Sequence, residues 1–550
     1  MVQLTAHGGR LATDVARARG ITTMFTLSGG HVFPLYDGAI RGTPPMRLVD
    51  VRHEQTAVFA AEATARLTRT PGLAVLTAGP GITNGVSAIT AAHFNGTPLV
   101  TIGGRAPQVR WGSGSLQELD HPPLVAPVTK WAATVRRTED IPVAVDDALR
   151  LATTPHRGPV FLDIPIEQVF DEASTDIPAP AARQGVEPDA DQLASIGRLL
   201  AQAHRPVLVL GSDVWTDGAE AAARRLAETA DVPTITNGMA RGVLPAGHPL
   251  LVTRARSRAF GTADLVVVVG TPLDFRLGYG SFGSKDGFPA ARVCHIADAA
   301  EQLATHVELA GSAAGDLTRA LDGLAESWRR QPRHTGHAGW TAELRQAADA
   351  AAATDAEALR SDADPIHPAR IYGELLRQTD DDTVIIGDGG DFVSYAGRYI
   401  EPRRPGCWLD PGPYGCLGTG LGYAIAARLA RPSSPVVLLL GDGAAGFSLM
   451  DVDTLVRHRL PVVMIMGNNG CWGLEKHPMR SLYGYHAAAE LTPRTRYEEV
   501  VRALGGAGEM VTTPNEIGPA LERAFTSGVP YLVNIITDPE DAYPRSTMGI

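Results

Sequence analysis

The sequence predicts an α/β chain of three doubly wound parallel-sheet domains, and three observations point there. Short β-branched runs recur along the chain. Alanine-rich stretches of helical periodicity lie between them. The 550 residues exceed what one core organises, at roughly 100–200 residues per domain.

Taken in order, the strand runs are Pro98-Leu-Val-Thr-Ile, Pro159-Val-Phe-Leu-Asp-Ile, Pro206-Val-Leu-Val-Leu, Leu265-Val-Val-Val-Val, Pro435-Val-Val-Leu-Leu-Leu, Pro461-Val-Val-Met-Ile-Met and Tyr531-Leu-Val-Asn-Ile-Ile. Continuous apolar runs suit strands buried on both faces, and a leading proline costs little because its missing N–H precedes the ladder. Helical periodicity marks 55–67, 196–203, 219–230 and 519–525, with a further helix expected over 448–458 after a glycine-rich turn. Residues 172–192 and 329–368 are polar, Pro- and Ala-rich and lack an apolar period, so they read as surface linkers, the second with a connecting helix over 341–359. The domains are expected at 1–172, 190–335 and 360–550.

Composition excludes several classes. With 44% apolar and 20% charged residues, the chain is a globular protein. A net charge of −11 argues against nucleic acid or an anionic membrane as partner. No run reaches the ~18 apolar residues of a membrane span, and Met1 to Arg10 lacks a signal-peptide apolar run. The cysteines Cys294, Cys407, Cys416 and Cys471 form no C-x-x-C pair, so reduced thiols and a cytoplasmic location are expected. Only Lys130, Lys285 and Lys476 are lysines; the arginine excess is a compositional habit.

The most specific motif closes the run 436–440: Gly441-Asp442-Gly443, then Ala444. The next run ends in Gly467-Asn468-Asn469-Gly470. Strand carboxyl ends, glycines and a helix N-terminus offer N–H groups to a phosphate. Asp442 and Asn469 supply hard oxygen donors to a Mg²⁺ that keeps phosphate oxygens as other ligands. A lone GDG is usually a turn, and Gly387-Asp388-Gly389 serves as a control, because 27 residues beyond Asp388 stands Gly415 and not an amide.

The spacing of Asp442 to Asn469 resembles the signature of thiamine-diphosphate-dependent enzymes. The resemblance implies a pyrimidine-binding N-terminal domain, a central domain and a diphosphate-binding C-terminal domain. It implies a metal held by Asp442, Asn469 and the main-chain carbonyl of Cys471, with Gly441, Gly443 and Ala444 around the diphosphate. Arg52-His53-Glu54-Gln55 matches the catalytic glutamate of acetolactate synthases, where Glu54 would bond N1′ of the aminopyrimidine and favour the imino tautomer that generates the ylid. In Tyr414–Gly422, Gly415 would offer its carbonyl to the 4′-amino group and Leu417 would be the wedge that bends the cofactor. A dinucleotide loop is the competing reading there, weakened because no strand immediately precedes it. Ser28-Gly29-Gly30 resembles a loop facing the reacting carbon, and Ala78–Gly85, with Pro80 and Asn84, a segment near the pyrimidine. Leu116-Gln117-Glu118 resembles a triplet whose glutamine approaches substrate. Trp472 and Glu475 fall where relatives place substrate-pocket residues. His31, beside the glycine pair, is a further substrate candidate. A structural or solvent role competes for His31 and for His93.

The branch stays open. The first domain is similar to acetolactate synthases, the third to oxalyl-CoA decarboxylase and 2-hydroxyacyl-CoA lyase. The first implies decarboxylation of a 2-oxo acid and ligation to a second carbonyl, with Gln117, Gly29 and Gly30 stabilising an oxyanion. The second implies an acyl-CoA substrate. A non-catalytic cofactor-binding relative is the third reading. The central domain would hold FAD or a CoA nucleotide, with Arg254, Arg256, Arg258 and Arg276 as candidate phosphate contacts. The resemblance also implies a homodimer or homotetramer with each active site between subunits.

Overall fold

A computed structural model describes residues 2–179, 185–332 and 337–543. It contains three parallel α/β sheets. The N-terminal sheet runs in the order Arg47–Asp50, Thr23–Thr26, Gly72–Leu76, Leu99–Arg105, Val160–Pro165, Trp131–Thr134, every neighbouring pair parallel. The central sheet runs Thr234–Thr236, Pro206–Leu210, Leu265–Val269, Arg292–Ala297, Gly311–Ala314. In the C-terminal sheet Val384–Gly387, Val436–Gly441, Val463–Asn468, Tyr531–Ile536 and Ala507–Val511 follow one another.

The apolar runs are continuous because helices cover both faces of each sheet. In the central sheet Leu208, Leu210, Val267 and Val269 join one core, while Val207, Val209, Val266 and Val268 join another on the opposite face. Strand periodicity therefore survives only as a choice of core, not as apolar–polar alternation.

By internal contacts the chain forms two compact units. One comprises 1–183, 385–394 and 410–550; the other comprises 184–384 and 395–409. In the first, the helix Glu54–Thr68 packs along the helix Thr419–Ala430. Gly422 makes this possible, since a Cβ there would stand 2.7 Å from Phe59 Cβ and 3.0 Å from the Thr56 carbonyl oxygen. A polar group is locked inside the joint. Glu62 is wholly buried and accepts from Asn95 Nδ2 at 2.7 Å and from the Tyr423 hydroxyl at 2.9 Å, with Arg66 3.7 Å away.

Two expectations are corrected. The stretch 172–192 is not simply a linker: Glu172–Ile177 is a strand pairing antiparallel with Val2–His7, and a helix starts at Ala190. A two-stranded ribbon with half-exposed positions needs no apolar period. Residues 180–184 lie outside the described ones. The helix expected over 448–458 starts earlier, as Asp442–Ser448, and resumes as Val452–Arg457 after a tighter turn. Small residues at 443–446 read as loop but let the helix begin hard against the strand end. In the stretch 329–368 the connecting helix runs Ala338–Ala358, and 333–336 lie outside the described residues. Among the described residues no helix is long and apolar enough to cross a membrane.

Candidate active site

In the N-terminal sheet the strand Thr23–Thr26 lies between Arg47–Asp50 and Gly72–Leu76. The chain thus reverses direction of winding there, and ligands of open α/β sheets bind outside the strand carboxyl ends at such a point. The loops that emerge are Leu27–Gly30 and Thr77–Pro80. They touch: a Cβ on Gly29 would stand 2.3 Å from Thr77 Cβ, so only bare backbone fits. Gly30 is exposed. His31 Nδ1 lies 3.1 Å from the Thr77 hydroxyl, and burial keeps its imidazole below the ordinary range.

Glu54 opens its helix and is 8% exposed. His53 caps that helix, its Nδ1 accepting from the Gln55 N–H at 3.2 Å. Asn84, exposed one turn into the helix Pro80–Phe94, donates through Nδ2 to Glu54 Oε2 at 3.0 Å. The structure therefore brings together two residues singled out separately. Exposed Pro80 starts the same helix. Gly79 before it adopts φ +60°, ψ −115° and leans on Gln117, itself at φ +60°. A Gly79 Cβ would stand 2.9 Å from Gln117 Cβ.

On the C-terminal sheet Asp442 is 2% exposed, and its Oδ2 accepts from the Gly470 N–H at 3.0 Å. Burial pushes its carboxyl up to about 6, with backbone N–H groups pulling the other way. Among the described residues no Lys or Arg pairs with it. A buried carboxylate without a cationic partner fits a divalent ion. The two asparagines separate cleanly. Asn468 is buried and donates to Thr495 O and Asn534 Oδ1 at 3.1 Å each, so it braces the sheet. Asn469 is half-buried, its Oδ1 accepting from the Cys471 N–H at 3.2 Å. It is the asparagine available to a metal.

Gly441, Gly446 and Gly415 each face open space, with nothing within 4 Å of an added Cβ. Bare backbone at Gly441, on the strand end ahead of the helix Asp442–Ser448, suits a phosphate-bearing ligand. Gly443 differs, because an added Cβ would stand 2.6 Å from the Trp472 ring. Trp472 packs edge-on to Phe447 at 6.4 Å, Ala444 is buried, and Glu475 is exposed in the first turn of Gly473–Tyr483. Leu417 is half-buried; its Cδ2 lies 2.8 Å from where a Gly389 Cβ would stand.

That contact exposes what sequence reasoning missed. The control triplet 387–389 ends the strand beside 436–441, and the Asp388 N–H donates to Leu439 O at 3.0 Å. Asp388 Oδ1 accepts from the Gly418 N–H at 2.8 Å and from the Thr419 hydroxyl at 3.2 Å. It caps the helix that follows Leu417. The available signal is a GDG after a strand, and it lacks the amide partner 27 residues on that marks Asp442.

Of the central-domain arginines, Arg258 pairs with Asp286 and Glu343, Arg276 with Asp274, and Arg254 with Asp355. Arg256 differs: among the described residues it forms no ion pair. Burial, then Arg241 and Arg276, push its guanidinium down to about 10.

Sheet order and glycine-lined strand ends define a class, and comparison with known families agrees. The chain belongs to the thiamine pyrophosphate enzymes. Family models match the N-terminal TPP binding domain at residues 6–124, the central domain at 193–324 and the C-terminal TPP binding domain at 388–535. Within that family it is acetolactate synthase-like. It is 52% identical, over 98% of this chain and 97% of the relative, to the acetolactate synthase large subunit IlvG of Mycobacterium tuberculosis. The same figures hold for a probable acetolactate synthase of Mycobacterium bovis. It is 32% identical to the 2-hydroxyacyl-CoA lyase 2 of Homo sapiens, over 96% of this chain and 90% of that protein.

Proposed function

We propose that the chain is a thiamine-diphosphate- and Mg²⁺-dependent carboligase that decarboxylates a 2-oxo acid and joins the remaining fragment to a second carbonyl compound. The observation that carries this reading is the 52% identity to mycobacterial acetolactate synthase across nearly both whole chains. Asp442, Asn469 and the Cys471 carbonyl would hold Mg²⁺, and the Gly441–Ala444 backbone the diphosphate. When bound, thiamine diphosphate supplies a nucleophilic carbon and an electron sink.

The chain's own residues do the rest. Asn84 ties Glu54 Oε2, leaving Oε1 to hold a proton against the aminopyrimidine. Gly415 and Leu417 fix the cofactor's conformation. Gln117 and the Gly29 and Gly30 N–H groups donate to oxygen where charge develops. His31, Trp472 and Glu475 serve as substrate-side residues. Arg256 is the preferred phosphate contact for a FAD or CoA nucleotide in the central domain. Each site joins Glu54 of one subunit to Asp442 of another, in a homodimer or homotetramer.

A 2-hydroxyacyl-CoA lyase activity is the second reading, favoured by the relatives at 32% identity. Separate incubations with pyruvate and with a 2-hydroxyacyl-CoA, each with thiamine diphosphate and Mg²⁺, test both. Acetolactate from the first is the expected result; formyl-CoA from the second alone would replace this reading with the lyase. Chelation should abolish acetolactate formation, and added Mg²⁺ should restore it.

A further inference from the structure

His121 lies outside every motif discussed above. It is wholly buried four residues beyond Gln117. Its Nε2 receives the Gly79 N–H at 2.9 Å, and its Nδ1 lies 2.9 Å from Asp163 Oδ2. A backbone N–H can only donate, so Nε2 must carry a lone pair and the ring proton sits on Nδ1, donated to Asp163. Asp163, also wholly buried, has its charge met by Arg105, whose Nη1 donates to the same oxygen at 2.8 Å. Arg105 is held in turn by Asp120 at 2.9 Å and by the Trp111 ring 4.0 Å from its guanidinium carbon. With Nε2 accepting from Gly79 and Nδ1 donating to Asp163, the ring is held in one tautomer.

We infer that His121 is a positioning residue, which locks Gly79 against Gln117 and thereby sets the placement of Gln117 and of the helix bearing Asn84. Gly79 and Gln117 both occupy left-handed backbone, which for a glutamine persists only where neighbours over-determine it. The bond from the Gly79 N–H to Nε2 spans 42 residues and closes the loop 117–121 onto the loop after the strand Gly72–Leu76. Without an acceptor at Nε2 the Gly79 N–H is left buried and unpaired, and the turn relaxes. The catalytic consequence rests on the role proposed for Gln117; the clamp itself does not.

The test compares full-length wild type with His121→Met, which removes the acceptor, and His121→Gln, whose Oε1 can replace Nε2. Hydrogen exchange at the Gly79 amide is read on the protein without added cofactor. Exchange should quicken on the order of 10-fold or more in His121→Met and return towards wild type in His121→Gln. In turnover, kcat should fall in His121→Met with overall fold and thiamine diphosphate affinity retained, and recover in His121→Gln. Unchanged Gly79 exchange in folded His121→Met overturns the clamp; altered exchange with unchanged kcat overturns the positioning role. If pyruvate is not a substrate of wild type, the functional proposal fails while the exchange result still decides the clamp. Should His121→Met not fold, ¹⁵N spectra of histidine-labelled wild type decide it: a proton on Nδ1 and none on Nε2 is required, and the opposite tautomer overturns it.

Discussion

Asp388 is wholly buried, with its Oδ1 capping the Gly418–Thr419 turn. Burial pushes its carboxyl from 3.8 up to about 7, more than those hydrogen bonds pull it down. Over that window the folded chain binds a proton that the unfolded chain has released. Stability from this group is therefore present in full below the unfolded value of 3.8 and is lost as pH rises to about 7. Asp388→Asn keeps an acceptor for Gly418 and removes the titration. The drop in melting temperature between about pH 5 and pH 8 should then be smaller than in wild type; an equal drop would show that Asp388 does not titrate there. Asp442 is different, because under the proposed function a divalent ion would offset the cost of its buried charge. Added Mg²⁺ should raise the melting temperature of wild type, and Asp442→Ala should remove most of that response.

At the scale of elements, the joint between Glu54–Thr68 and Thr419–Ala430 holds the helix that opens on Glu54 against the helix that follows the glycine-rich turn. Removing Glu62 takes the nearer carboxylate from Arg66, buried with 6% exposure and with Asp410 4.0 Å away, and takes an acceptor from the Asn95 amide and the Tyr423 hydroxyl. Breaking a buried pair in this way costs roughly 3–5 kcal/mol, so Glu62→Ala should lower the denaturation midpoint by a margin that exposed pairs such as Arg224–Glu228 do not match. The joint itself was illegible in the sequence, since Glu62 and Tyr423 are 361 residues apart. What could be read were elements whose burial is written locally. The runs 206–210, 265–269 and 436–441 are apolar at nearly every position. Edge or short strands such as Thr234–Thr236, Arg47–Asp50 and Gly311–Ala314 carry too few apolar residues to stand out. The same rule governs the site. Gly441-Asp442-Gly443 and Asn469 are recognisable because their chemistry lies in short motifs. Asp388 and His121 are not, because each acts through a partner that only sheet order brings near.

Over the whole molecule, three parallel sheets in two compact units place two sets of glycine-lined strand ends in one unit: Gly29–Gly30 with Gly79, and Gly389 with Gly441. The central sheet lies in the other unit. The acetolactate synthase-like reading requires both sets to serve one reaction, with Glu54 as the proton-holding group and Asp442 as the metal ligand. The direct test is ¹³C-pyruvate turnover by wild type and Glu54→Gln side by side, with thiamine diphosphate and Mg²⁺ saturating in both. Wild type should release ¹³CO₂ and form acetolactate, one of each for every two pyruvates. Glu54→Gln should bind the cofactor and form neither product at a measurable rate. Acetolactate from Glu54→Gln at the wild-type rate would contradict the account.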